Sequence, residues 1–300
     1  MFRHVVVAGI GALGSELVTR LGTLDCESVF VADPDVLEEK NIARSTLLRE
    51  ATAGQSKVLQ ALKKLRELFP RTRWSGAQVE IADVEPRQFQ NADVLFSCVD
   101  TDLARTEIAA IATQYKFPVC DAGLGGTSTR VGRVSWFPNF SSAACFACLL
   151  SNKRRAELLS IWESDIHACW VTGRAEQPEW TSTPSMASII AALQTEITLS
   201  NIEKNSQAFS LHLDLDRTPA VQTIQHPRSI DCPFHDEMPE ILFPICARAQ
   251  CDTCGQHFSP NQRIAWVRRR GTCPSCGSHA LILHQSLDKN LSVEPAGSAQ

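Results

Sequence analysis

The chain has 300 residues, 44% of them hydrophobic and 21% charged, which is the composition of a soluble globular protein. Its formal net charge of -4 disfavours a dedicated nucleic-acid binder. No run of about 18 apolar residues occurs, and the glycine-containing start reads as a strand and turn rather than a signal peptide. We therefore expect a cytoplasmic protein whose partners are neither nucleic acid nor membrane.

Strands and helices alternate along the first part of the chain. Apolar runs bounded by turn residues predict buried strands at residues 4–8, 28–32, 94–97 and 119–122. Helical periodicity between them predicts helices at residues 15–21, 55–68 and 103–114. This alternation is typical of an α/β fold, and we expect a Rossmann-like, doubly wound and mainly parallel sheet with helices on both faces.

The later sequence is less regular. Residues 130–137 read as extended structure, and 139–183 as a crossover region of loops that holds one short helix near 156–160. An apolar helix is predicted at 186–202. Two paired strands are predicted after it, at 212–216 and 221–225.

A glycine turn follows the first strand and opens the first helix, as Gly9-Ile10-Gly11-Ala12-Leu13-Gly14. The glycines Gly9, Gly11 and Gly14 suit a tight turn that a phosphate approaches closely, and the helix N-terminus favours an anion. Asp33 ends the second strand, where a carboxylate can bind a ribose hydroxyl. Taken alone, these residues favour an NAD-dependent oxidoreductase.

The polar residues further along the chain change this interpretation. Asn41 and Arg44 belong to N-I-A-R, Lys57 ends G-Q-S-K, and Asp100 ends C-V-D. An NAD site does not need these added cations and a further carboxylate. A nucleoside triphosphate does, because its phosphates must be neutralised and Mg²⁺ prefers a carboxylate oxygen.

The order and spacing of these motifs resemble those of the ThiF/MoeB/HesA family of adenylyltransferases, which includes the catalytic half of ubiquitin-activating enzymes. The resemblance covers roughly residues 4–236 and implies ATP and Mg²⁺ as cofactors. The family's motif positions fall here on Asp33, Asn41, Arg44, Lys57 and Asp100. The resemblance implies that Asp33 holds the ribose and that Asp100 binds Mg²⁺. Asn41, Arg44 and Lys57 would contact the phosphates. Arg44, Lys57 and Asp100 would thereby also act in catalysis.

Two further polar residues near these motifs have structural explanations, and one feature of the family differs here. Arg105 lies one helical turn beyond Asp100, and a helix-surface or packing role is a stronger interpretation than a phosphate ligand. Asp35 is explained by capping a turn. The family usually carries an arginine-bearing helix before the first strand, which reaches the ATP of a neighbouring subunit. Only Arg3 precedes that strand here. A homodimer is expected from the resemblance alone.

Twelve cysteines are many under reducing conditions, which favours metal ligands or catalysis over disulfides. Cys145 and Cys148 form one C-x-x-C pair, and Cys232 and His235 follow far downstream in Cys-Pro-Phe-His. The resemblance implies that these four residues bind one structural zinc ion. The alternative is that Cys145 and Cys148 are merely buried.

A second cysteine set has the spacing of a zinc ribbon. Its pairs, Cys251/Cys254 and Cys273/Cys276, are separated by 18 residues. Metal binding would have to drive the folding of such a small module, so we expect a second zinc ion. The predicted organisation is an adenylation domain over residues 1–246, a zinc ribbon over 247–285 and a disordered tail over 286–300.

Cys169 is the candidate for covalent catalysis. It lies within the predicted crossover, where family members that form thioesters carry their cysteine, and His167 or Arg174 could lower the pKa of its thiol. The alternative is a partly buried cysteine beside Trp162 and Trp170.

The leading functional hypothesis is adenylation of the C-terminal glycine of a ubiquitin-like protein, followed by a thioester on Cys169 and transfer to a conjugating enzyme. This pathway resembles bacterial ubiquitin-like conjugation systems, some of which serve antiviral defence. One alternative is a sulfur-carrier adenylyltransferase for thiamine or molybdopterin synthesis. Others are adenylation of a peptide or tRNA, a non-catalytic scaffold, and an NAD-binding protein.

Overall fold

The computed structural model describes most of the chain. The described residues are 2–42, 45–125, 128–138, 142–163, 182–204, 206–216, 218–232, 248–251, 253–255, 257–258 and 281–284. Within these residues, no helix combines the length and the apolar character needed to cross a membrane.

Five parallel strands form the first half of an eight-stranded sheet. They are β1 (His4–Ala8), β2 (Ser28–Ala32), β3 (Arg73–Ala77), β4 (Val94–Ser97) and β5 (Val119–Leu124). They lie in the order β3-β2-β1-β4-β5, so the direction of winding reverses between β1 and β4. That reversal opens a crevice at the carboxyl ends of the strands, where sheets of this type bind ligands.

Three antiparallel strands extend the sheet beyond β5. They are β6 (Val131–Phe137), β7 (Phe209–Asp214) and β8 (Ala220–Gln225), which pair in that order. The predicted extended segment after residue 130 and the predicted strand pair are therefore confirmed. β8 lies at the edge of the sheet and is exposed along its whole length.

Helices cover both faces of the sheet. They are α1 (Ala12–Thr23), α2 (Glu39–Ile42), α3 (Lys57–Leu68), α4 (Asp102–Tyr115), α5 (Asn152–Glu163) and α6 (Pro184–Asn201). One core cluster joins α1, α3 and α6 to the sheet, and a second joins α4 to the opposite face. The predicted Rossmann-like, doubly wound architecture is confirmed.

The observed elements differ from the predicted ones in several places. α2 was not predicted, and β7 covers Phe209–Asp214 rather than 212–216. β3 was not predicted, because Trp74 is its one buried side chain and the strand lies at the sheet's edge. α5 runs over twelve residues rather than the short stretch expected at 156–160. Its sequence mixes charged and apolar residues with little periodicity, which hid its length.

A separate three-stranded antiparallel sheet lies in the cysteine-rich part of the chain. It consists of β9 (Arg248–Cys251), β10 (His257–Phe258) and β11 (Leu281–His284), in the order β10-β9-β11. Cys251 ends β9, and Cys254 is exposed in the turn after that strand. The domain boundaries drawn from the sequence remain predictions.

Candidate functional site

The glycine turn between β1 and α1 forms the floor of the crevice. Gly9 has a φ of +91°, and a Cβ there would lie 2.7 Å from the carbonyl oxygen of Cys98. A Cβ on Gly14 would lie 2.1 Å from the carbonyl oxygen of Gly9, inside any permitted contact. A Cβ on Gly11, in contrast, would meet nothing within 4 Å. Gly9 and Gly14 are therefore required by packing, whereas Gly11 leaves room in front of the N-terminus of α1.

Asp33 lies immediately after β2 and binds the same turn. Its Oδ2 accepts a hydrogen bond from the backbone N–H of Ile10 at 2.7 Å, and its Oδ1 accepts one from the N–H of Asp35 at 2.9 Å. The residue is buried, and this burial raises the pKa of its carboxyl group, although the nearby charge of Lys57 opposes the shift. The structure therefore holds this carboxylate rigidly beside the glycine turn.

Lys57 is the first residue of α3 and is almost enclosed. Its side chain is 9% exposed, and Nζ donates to Oδ2 of Asp35 at 2.7 Å. Two backbone hydrogen bonds join the segment after β2 to the start of α3. The Leu37 N–H donates to the Gln55 carbonyl, and the Lys57 N–H donates to the Asp35 carbonyl. Ser56 caps α3 by accepting from the N–H of Leu59. A buried cation is thus brought to the side of the crevice that carries Asp33.

Asp100 lies beyond the end of β4 and is exposed. Arg105 lies below it on α4, donating from Nη2 to the Val99 carbonyl at 2.6 Å and, more weakly, from Nη1 to the Asp100 carbonyl at 3.5 Å. Its Nε also donates to Oδ1 of Asp121 at 3.1 Å. The predicted packing role of Arg105 is therefore confirmed, because its guanidinium supports the Asp100 segment from within the protein.

Sequence reasoning missed the two buried polar residues behind this segment. Asp121 on β5 accepts hydrogen bonds from Ser97 Oγ at 2.6 Å and from Arg133 Nη2 at 2.7 Å, in addition to the bond from Arg105. Gln194 on α6 is 0% exposed. Each could have been noticed as a polar residue inside an apolar strand or helix face, where an unpaired group is costly.

Three cysteines meet at a second place in the fold. Sγ of Cys145 lies 4.0 Å from that of Cys148 and 3.8 Å from that of Cys232, and all three sulfurs fall within 4.8 Å of one another. Tetrahedral ligation at a Zn–S distance of about 2.3 Å separates sulfurs by about 3.8 Å, so the cluster fits a zinc ion. Hydrogen bonds to Cys148 and Cys232, together with burial, hold the pKa of the Cys145 thiol well above its ordinary value. A bound cation would instead favour the thiolate.

Several predicted site residues cannot be placed. Asn41 belongs to α2, but its side chain is not described. The residues that lie outside the described part of the chain are Arg44, Cys169, His235, Cys273 and Cys276. The roles assigned to them from the sequence stay predictions.

Fold and site together define a doubly wound α/β protein with a nucleotide-type crevice at the switch point of its sheet. The arrangement differs from a dinucleotide site by the buried cation of Lys57 and the carboxylate of Asp100. The chain belongs to the ThiF family, whose sequence profile matches residues 2–234.

Curated relatives match part of this chain. The adenylyltransferase and sulfurtransferase uba4 of Aspergillus terreus is 30% identical over 120 residues, covering 40% of this chain and 25% of the relative. The molybdopterin-synthase adenylyltransferase of Escherichia coli K12 is 25% identical over 148 residues, covering 49% of this chain and 58% of the relative. The matches therefore span only part of either relative's length.

Solved structures resemble the fold over a longer stretch. The E. coli MccB structure with AMPCPP and MccA superposes with a TM-score of 0.59 at 17% identity, covering 78% of this chain and 67% of that one. The structure of PaaA gives a TM-score of 0.54 at 20% identity, covering 74% of this chain and 72% of that one. At these identities the likeness establishes the fold alone.

Proposed function

We propose that this protein is an ATP-dependent adenylyltransferase that activates the C-terminal carboxylate of a ubiquitin-like protein. Its family membership supports the class of reaction, and relatives named as adenylyltransferases support it further. The substrate class rests on the resemblance of the sequence motifs to those of ubiquitin-activating enzymes. A match to a SUMO-activating enzyme subunit of Caenorhabditis elegans, 24% identical over 147 residues, supports it.

The observation that carries the proposal is the enclosed cation of Lys57 beside Asp33. A dinucleotide needs a carboxylate at the ribose but no buried ammonium group. A triphosphate and an attacking carboxylate repel each other, so a fixed positive charge is needed to bring them together. Asp35 balances the charge of Lys57, and the half-exposed Asp35 side chain leaves room for the ammonium group to turn toward a phosphate.

The other residues of the crevice fit the same reaction. Asp33 would hold the ribose, and the open N-terminus of α1 at Gly11 would receive the phosphates, with Asn41 and Arg44 completing their binding as the sequence predicts. A carboxylate oxygen of the substrate attacks the α-phosphorus, the bond to the β-phosphate oxygen breaks, and pyrophosphate leaves. The product is an acyl-adenylate.

Asp100 fits a magnesium ligand because it offers an exposed, hard carboxylate oxygen at the mouth of the crevice. When bound, Mg²⁺ would neutralise charge on the phosphates as pyrophosphate forms. The chain's own contribution is to hold Asp100 in place through the backbone contacts of Arg105.

The roles proposed for the remaining parts of the chain come from the sequence motifs and the family resemblance. Cys145, Cys148 and Cys232 would hold a structural zinc ion with His235 as fourth ligand. The ribbon over 247–285 would hold a second ion through Cys251, Cys254, Cys273 and Cys276. Cys169 would accept the acyl group as a thioester and pass it to a conjugating enzyme. A homodimer and a cytoplasmic location complete the proposal.

A sulfur-carrier adenylyltransferase is the second candidate, favoured by the relatives named as sulfurtransferase and molybdopterin-synthase enzymes. It shares the adenylation step and differs only in the fate of the acyl-adenylate. No thioester on Cys169 is then needed, because a sulfur donor converts the acyl-adenylate to a thiocarboxylate.

ATP–pyrophosphate exchange tests the proposal. The purified protein is assayed with a panel of ubiquitin-fold proteins that end in glycine, beside Asp100→Asn as the matched inactive control. We expect exchange that requires both a carrier protein and Asp100. A reducible adduct that is lost in Cys169→Ala would favour the conjugation pathway, and exchange without an adduct would favour sulfur transfer. Absence of exchange with every carrier, despite ATP binding, would refute the proposed substrate class.

A further inference from the structure

The side chain of Gln194 connects α6 to two strands of the sheet. Its Nε2 donates to the carbonyl oxygens of Ser97 at 3.2 Å and of Cys120 at 2.7 Å. Its Oε1 accepts a weak hydrogen bond from the Cys98 thiol at 3.6 Å. Both ends of this buried amide are therefore used, and all three partners lie in β4, in β5 or directly after β4.

The segment that Gln194 binds leads straight to Asp100. Residues 97–100 are held on the α6 side by the amide of Gln194, and on the α4 side by Arg105, which donates to the Val99 carbonyl. They also lie against the glycine turn, because the Cys98 carbonyl fills the space where Gly9 has no side chain. Gln194 thus contacts the backbone of the segment that carries the carboxylate of Asp100.

An apolar residue would serve better if packing were the only requirement. The neighbours of Gln194 on the inner face of α6 include the fully buried Ile190 and Ala191. A primary amide in such surroundings is tolerated only when its donors and acceptor are paired. Those pairings are specific in direction and length, so they fix the strand ends more tightly than an aliphatic side chain could.

We propose that Gln194 is a positioning residue for the metal-binding carboxylate of Asp100. Its amide sets the place of residues 97–100 relative to the glycine turn, so that Asp100 meets a Mg²⁺ ion carried by the nucleotide phosphates. The inference rests on the proposed function for the identity of that ligand. Gln194 acts from behind the segment, through the carbonyl of Ser97.

The test compares nucleotide binding with and without the metal. Affinity for ATP is measured by calorimetry in excess Mg²⁺ and again in EDTA, and the ratio of the two affinities is the readout. Gln194→Met keeps the length and volume of the side chain but removes both donors. We expect this variant to lower the ratio about tenfold, as for a residue that orients a metal ligand. Its affinity for ATP in EDTA should stay at the wild-type value.

Thr195→Val is the matched control. Thr195 is also buried on α6, but its hydroxyl bonds to the Ala191 carbonyl within the same helix. This variant should lose thermal stability without any change in the ratio. If Gln194→Met does not fold, Gln194→Leu replaces it, because leucine is uncharged and also removes both donors.

The outcomes separate this inference from the proposed function. Equal ratios for wild type, Gln194→Met and Thr195→Val would overturn the positioning role. A lowered ratio in Gln194→Met, combined with no pyrophosphate exchange in the wild type, would retain it and refute the adenylation of a ubiquitin-like protein. A wild-type protein that binds ATP equally well with and without Mg²⁺ would overturn it, because Asp100 would then hold no metal.

Discussion

At the residue scale, the three glycines of the turn differ in the space that surrounds them. Gly9 and Gly14 are required by neighbouring backbone atoms, whereas Gly11 faces open space at the N-terminus of α1. The helix N-terminus there leaves its first backbone N–H groups without intrahelical partners. Only Gly11 therefore points to a ligand, so the roles of the glycines can be separated by experiment.

We expect Gly14→Ala to destabilise the fold by about 2 kcal/mol, because its Cβ would force the carbonyl of Gly9 to move. Gly11→Ala should change the free energy of unfolding by less than about 1 kcal/mol, since the added methyl group meets nothing. Its affinity for ATP should nevertheless fall, because the methyl group takes the space a phosphate would use. Urea unfolding and calorimetry measure the two effects. Unchanged ATP affinity in Gly11→Ala would place the phosphates elsewhere.

The sequence predicts where these residues lie in the fold, because they follow strands in a recognisable order. The apolar runs of β1 and β2 are clear, and the glycine turn and Asp33 come directly after them. Their roles in binding a nucleotide stay predictions. Gln194 was not predicted. Its proposed function depends on the strands that α6 packs against. Those contacts form only when α6 packs on the sheet.

At the scale of elements, Asp121 joins three parts of the fold. Its carboxylate on β5 binds Ser97 at the end of β4, Arg105 on α4 and Arg133 on β6. The Asp121 side chain is only 2% exposed and the Arg105 side chain 12%, so water screens the pair weakly. The parallel and antiparallel halves of the sheet are therefore linked by one buried anion.

Asp121→Asn should lower the free energy of unfolding by about 3 kcal/mol, because it leaves two arginines without their counter-charge. The control is Glu27→Gln, which breaks the exposed ion pair with Arg73 and should have little effect on stability. Urea unfolding of both variants measures the difference. Equal stabilities would mean that the buried pair does not organise the junction between the two halves.

Prediction of elements succeeded where apolar periodicity was strong and failed where it was weak. β1, β2 and β4 were predicted with their observed bounds, since each is a continuous apolar run that the sheet buries. β3 has one buried side chain and gives no such signal. It forms because β2 offers a free edge, a tertiary cause that no local pattern contains.

At the scale of the whole molecule, the cysteine cluster joins distant parts of the chain. Cys145 and Cys232 are 87 positions apart, yet their sulfurs lie 3.8 Å apart. A metal ion at this place would close a loop of the chain that contains α5, α6, β7 and β8.

We expect Cys232→Ser to lose about one zinc ion per chain and to melt at a lower temperature, because zinc ligation contributes directly to folding. Cys26→Ser is the control for metal content, since Cys26 is buried elsewhere in the core and burial raises its pKa to about 11. Elemental analysis and thermal melts measure both variants. Wild-type zinc content in Cys232→Ser would show that the cluster is not a metal site.

The most direct test of adenylation is to follow the α-phosphate of ATP. The protein is incubated with a ubiquitin-like protein and ATP labelled in either the α- or the γ-phosphate, and the acid-quenched products are separated. We predict that α-label appears on the ubiquitin-like protein, that γ-label leaves as pyrophosphate, and that Asp100→Asn gives neither. Transfer of γ-label to the protein, or release of γ-label as orthophosphate without any α-labelled acyl product, would contradict adenylation.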